Sequence, residues 1–160
     1  MTQEEVDLLT KRKQGFDEFY EALIPTLVEF VGAMGVQPAH EVLNNATHFA
    51  PYLDKSLREM AMDSEKARGW LLLRVGQFIG EFFVQKYGGS WFVNEIEGSR
   101  YFARYVVGRF SRLNSMAPML DPFQIAKTFV DTPVPRRLEA LLSEVDAELI
   151  EIAGKAAPSA

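Results

Sequence analysis

The chain has 160 residues, 48% of them hydrophobic and 24% charged, with a formal net charge of −5 and no cysteine. Its size suits a single domain with one sizeable core. The composition excludes a disulfide framework, thiolate metal sites, iron–sulfur clusters and cysteine nucleophiles. The negative charge argues against nucleic-acid binding, because phosphate neutralisation needs a basic surface.

The apolar runs fall well short of the roughly 20 residues that cross a bilayer. The opening Met1-Thr2-Gln3-Glu4-Glu5-Val6-Asp7 is acidic where a secretory leader is basic and then apolar. The expectation is a cytoplasmic protein without membrane association.

Residues 3–24 read as an amphipathic helix, with Val6, Leu9, Phe16, Phe19, Tyr20, Leu23 and Ile24 near a 3.6-residue period. Glu4, Glu5 and Asp7 stand where a helix dipole favours negative charge. Pro25 predicts a kink or restart, because it removes a backbone donor and disfavours helical geometry at Ile24. A second piece over 26–34 stops at Gly35. Pro38 is expected to open the next helix, and Pro51 to interrupt it before it continues to about Met62.

Asp63 or Ser64 then caps a helix over about 65–87, the most informative stretch of the chain. Gly69, Leu73, Gly76, Gly80, Phe83 and Tyr87 share one side of it, and Leu71, Val75, Phe78, Ile79 and Phe82 fill another. Only a strip with Arg74, Gln77, Glu81 and Gln85 is polar. A helix apolar around most of its girth is buried on more than one side. Each interior glycine costs about 1 kcal/mol relative to alanine, so the seam predicts close approach by a neighbour along Gly69, Gly76 and Gly80.

Gly88-Gly89 ends this helix, and Ser90-Trp91-Phe92-Val93 reads as a strand. A turn over 94–99 and a second strand over 100–110 complete a predicted β-hairpin, with Gly108 marking a bulge or strand end. On that strand Arg100, Phe102, Arg104 and Val106 share one face. Asp121-Pro122 opens a short helix, and a last helix spans about 135–153 before a frayed tail over 154–160. The expected fold is one α+β domain over 1–153, helix-dominated with five to seven helices, a buried central helix and a small antiparallel hairpin or short sheet.

His40 and His48 would lie about 80° apart on a helix and do not give metal-ligand geometry. No nucleophile elbow or nucleotide fingerprint is present, so neither a metal nor a cofactor is expected. Two constellations remain. Arg74, Gln77 and Glu81 could line a pocket, with a carboxylate and a cation as an acid–base pair or a ligand clamp. Trp91, Arg100, Phe102, Arg104, Arg109 and Arg112 combine the residue types that dominate protein interfaces and bind carboxylates bidentately. The second group, Trp91 apart, lies in a segment of biased charge. Between Gly98 and Leu138 seven basic residues face two acids, so this segment is +5 and the rest of the chain −10. The segment is either a surface that attracts anions or one that pairs with acidic helices of the same chain.

The order G-Q-F-I-G-E (76–81), G-G-S-W (88–91) and D-P-F-Q-I-A-K (121–127) resembles small bacterial domains with a G-x-Y/F-L/I-G-E helix, a G-G-x-W strand opening and a later N/D-P-F helix. The resemblance covers roughly residues 50 to 131 and implies a bacterial cytoplasmic protein. It carries over no activity and no catalytic residue. The functional expectation is a non-enzymatic interaction module that binds a protein partner or itself. The alternative is a small enzyme or ligand-binding protein built on Arg74 and Glu81.

Overall fold

A computed structural model describes residues 1–156 and bears out the helix-dominated α+β domain. Among these residues the order is α1 (Gln3–Ala33), a 3₁₀ turn (Ala39–Glu41), α2 (Val42–Leu57), α3 (Glu65–Tyr87), β1 (Ser90–Val93), β2 (Tyr105–Gly108), β3 (Met119–Leu120), α4 (Pro122–Asp131) and α5 (Leu138–Ala156). The strands form one antiparallel sheet in the order β1-β2-β3.

α3 is the central element. It touches α1, α2, α4 and both long strands, while α5 packs against α2. Ser64 caps its start by accepting from the Ala67 amide, and Gly88 closes it in the left-handed region at φ 69, which glycine adopts without a Cβ penalty. Leu71, Val75, Phe78, Ile79, Phe82 and Phe83 are all buried along it, as expected for a helix covered on several sides. The glycine seam has two different halves. A Cβ at Gly76 would run into the Phe123 ring, and one at Gly80 into the Trp91 indole. At Gly69 nothing lies within 4 Å, so the expected close approach is absent there.

Three expected breaks fall elsewhere. α1 does not restart at Pro25 but runs on to Ala33, started by a reciprocal cap between Thr2 and Glu5. Glu21, whose carbonyl loses the Pro25 donor, faces solvent, and buried Leu23, Leu27, Phe30 and Val31 hold both halves against the core. Pro38 precedes the 3₁₀ turn rather than the α-helix itself. α2 passes through Pro51 and is distorted instead at Asn45, with φ −136 and ψ 39. There the Gln85 amide enters the backbone: its Oε1 accepts from the Ala46 N–H at 2.8 Å, and its Nε2 donates to the Val42 carbonyl at 2.8 Å. These are the two groups that an undistorted helix would pair with each other.

The hairpin is shorter than expected on its second side. Ala103 sits at φ 59, and both Ala103 and Arg104 pair with Asn94, through Ala103 N–H to Asn94 O at 2.8 Å and Asn94 N–H to Arg104 O at 3.0 Å. Two residues opposite one make a β-bulge, and the strand begins only after it. Residues 100–103 are therefore turn, and the expected alternation of Arg100, Phe102 and Arg104 along a strand does not occur. At the other end, α5 continues through Gly154 to Ala156, so the first part of the expected frayed tail is helical. The rest of that tail, 157–160, lies outside the described residues.

Candidate functional site

The sheet has two faces set by its register. Trp91, Val107 and Leu120 are direct partners across the three strands and share the face turned to the core. Tyr105, two residues from Val107, stacks on Phe19 of α1 with ring centroids 4.5 Å apart and donates its hydroxyl to the Arg12 carbonyl at 2.8 Å. Trp91 is only 6% exposed and fills the space left by Gly80. It is a core residue and cannot belong to an exposed contact surface.

The opposite face carries Phe92 opposite Val106, and Ser90, Gly108 and Met119 in register. The Arg109 guanidinium lies 3.9 Å from the centroid of the half-buried Phe92 ring. Phe92 and Met119 flank Gly108, and Met119 also lines a small cleft with Arg100 and Tyr101. Arg100 in turn stacks over Tyr101 at 4.6 Å. Phe102 is half-buried in the turn between them. The structure thus places Arg109 on the outer face of the sheet, and Arg100 in the adjoining turn, at a cleft that Leu120 and, from α5, Glu148, Leu149 and Ile152 also line.

The seven cations of the basic segment divide by partner. Arg104 donates to Asp121 at 3.0 Å and to Gln124 at 3.1 Å, and Asp121 also caps α4 through the Phe123 and Gln124 amides. Lys127 pairs with Asp131 at 2.7 Å, and Arg137 approaches Asp54 at 3.7 Å. Arg112 donates to the carbonyls of Gln85 and Lys86 at the electronegative end of α3, and Arg136 to the Met60 carbonyl. Arg100 and Arg109 are exposed, and among the described residues neither has a carboxylate partner.

The polar strip of α3 is likewise divided. Arg74 lies over Trp70 at 4.4 Å and donates to the Trp70 carbonyl at 3.0 Å. Glu81, two turns further on, is 8% exposed and accepts from the Trp91 Nε1–H at 2.9 Å. Arg74 and Glu81 hold separate partners and do not meet as an ion pair. Burial pushes the Glu81 carboxyl above its ordinary value of 4.5, and the bond from the indole opposes that shift. Gln77, between them, is 3% exposed, and its Oε1 accepts from no donor among the described residues.

Two arrangements have no local signal in the sequence. One is the insertion of Gln85 between Val42 and Ala46, and the other a cluster of Asp54, Arg58, Arg136 and Arg137 at the junction of α2 with α5. Each joins residues far apart in the chain. Comparison with family models, with curated proteins and with solved structures finds no match for this chain.

Proposed function

We propose that this protein is a non-enzymatic interaction module, an adaptor or neutralising protein, that binds an acidic protein surface through the outer face of its sheet and the adjoining turn over 100–103. The carrying observation is the pair Arg100 and Arg109. Each guanidinium lies over an aromatic ring, exposed and without an ion-pair partner among the described residues, while Arg104, Lys127 and Arg137 of the same segment are paired within the chain. Stacking orients a planar guanidinium and leaves its in-plane donors free for a carboxylate. Ile96 at 58% exposure and Met116 at 64% add apolar area in the loops that join the strands.

The partner is a protein of complementary charge or a second copy of this chain, which carries −10 outside the basic segment. The surroundings would be the cytoplasm, without membrane or nucleic-acid contact. In agreement, no helix of the described residues is long and apolar enough to cross a membrane. Affinity capture with the parent protein and with a folded R100E/R109E variant tests the reading. A specific partner, or self-association in sedimentation, is expected for the parent and lost in the variant; equal binding by both would remove the sheet face as the interface.

A second reading is a small-molecule site at Gln77 and Glu81, favoured by the buried Gln77 Oε1 that lacks a donor. Arg74 would have no part in it, given its contact with Trp70. If Glu81→Gln and Gln77→Leu leave every detected ligand interaction unchanged, that reading fails.

A further inference from the structure

α2 and the chain that leads into it line a surface cleft of about 270 Å³. The loop after α1 contributes residues 35–37, and α2 with its entry contributes Glu41, His48, Phe49 and Tyr52. Hydrogen bonds fix the loop. Ser56 of α2 donates its hydroxyl to the Met34 carbonyl at 3.1 Å, and the Val36 N–H reaches the Val31 carbonyl at 3.2 Å. The Gln37 Oε1 accepts from the Ala39 N–H at 3.2 Å. On the helix, Phe49 is anchored in the core at 3% exposure, while Tyr52 stands 52% exposed. A lining held in this way costs a ligand little ordering when it binds.

The chemistry of this cleft is one-sided. The His48 ring centroid lies 6.2 Å from that of Phe49 and 5.9 Å from that of Tyr52, with ring planes inclined at 56° and 59°. Three rings therefore present differently turned faces and edges along one stretch of α2. Glu41 is exposed, and among the described residues its carboxylate has no ion-pair partner. Neither lysine nor arginine is among the residues that line the cleft. An organic cation is attracted to aromatic faces by their quadrupole and to a carboxylate by its charge, and an anion is repelled by both.

We propose that this cleft binds a small free organic cation of the quaternary or N-methylated ammonium class, with its head group against Phe49 and Tyr52 and its charge answered by Glu41. Methyl groups spread the charge and pack on the rings, whereas a metal ion or a bare ammonium would have to give up strongly held water for few polar partners. The volume suits the head group of a small ligand rather than a larger molecule. The site is separate from the sheet face and stands whether or not that face is an interface.

The test is isothermal titration with choline at about pH 8, where histidine side chains are ordinarily neutral. The controls are sodium chloride at matched ionic strength and the uncharged isostere of choline, in which a tert-butyl group replaces the trimethylammonium. Saturable binding of choline is expected, with the isostere about tenfold weaker and NMR shifts centred on the rings of His48, Phe49 and Tyr52. Tyr52→Leu keeps apolar bulk at an exposed position but removes the ring, and Glu41→Gln keeps size but removes the charge; each should weaken choline about fivefold in a protein that stays folded. Tyr52→Phe keeps the ring and should bind as the parent does. No saturable choline binding, an isostere that binds as well as choline, or unchanged affinity in both Tyr52→Leu and Glu41→Gln overturns the proposal. Binding of a trimethyllysine peptide without binding of choline overturns the assignment to a free ligand.

Discussion

The indole of Trp91 occupies the space that a Cβ on Gly80 would need, with ring atoms against the helix backbone. This contact sets the sheet on α3 and brings the indole N–H to Glu81. Gly80→Ala should therefore destabilise the protein by about 1–3 kcal/mol through overpacking, against the helical preference for alanine. Gly69→Ala adds a methyl to open space on the same helix and should stabilise by about 0.5–1 kcal/mol. Paired urea titrations of the two variants give the comparison; equal effects would contradict the divided seam.

Glu81 gives a pH dependence with a definite sign. Its pKa is raised in the folded state, so the native protein binds more protons than the unfolded chain as pH rises from about 4.5 through the higher native value. The favourable contribution of the protonated form is present below that window and lost above it. Glu81→Gln keeps an acceptor for the indole and should flatten the fall in stability over the window. Glu81→Leu strands the Trp91 donor and should cost about 1–3 kcal/mol relative to the glutamine variant. Denaturation at a series of pH values reads both.

Gln85 substitutes for a helical hydrogen bond. Gln85→Leu leaves the Ala46 donor and the Val42 acceptor without their partner and should cost about 1–3 kcal/mol. Faster amide exchange at Ala46 would accompany the loss. Unchanged exchange there would mean that Val42 and Ala46 pair directly once the side chain is gone.

The boundaries of α3, β1 and the start of α4 were legible because each depends on local chemistry: Ser64 and Asp121 as caps, Gly88 as a stop, and apolar periodicity between them. The breaks at Pro25 and Pro51 were misplaced because proline costs one hydrogen bond, while burial on both sides of it held each helix together. The actual distortion, at Asn45, depends on Gln85 some forty residues away. The second strand was over-extended for a similar reason. Nothing in the local pattern marks Ala103 for the left-handed conformation that forms the bulge. At the candidate site, the arginine and aromatic composition was visible, but its division into paired, capping and stacked cations depends on the tertiary contacts.

Asp121 serves both α4 and Arg104. Asp121→Ala removes a cap to two amides and should cost about 1–2 kcal/mol. Arg104→Ala, at a half-exposed pair, should cost about 1 kcal/mol or less. Chemical denaturation of the two variants separates the cap from the ion pair, and a larger effect at Arg104 would reverse this ranking.

The most direct measurement on the central claim is hydrogen exchange of the protein with its captured partner, or of its self-associated form, against the free chain. Slower exchange is expected in β1, β2 and the 100–109 segment, centred on Phe92 and Arg109. Protection confined to α2 and α5, or to the exposed strip around Trp70, with the hairpin unchanged, would contradict the assignment of the sheet face as the interaction surface.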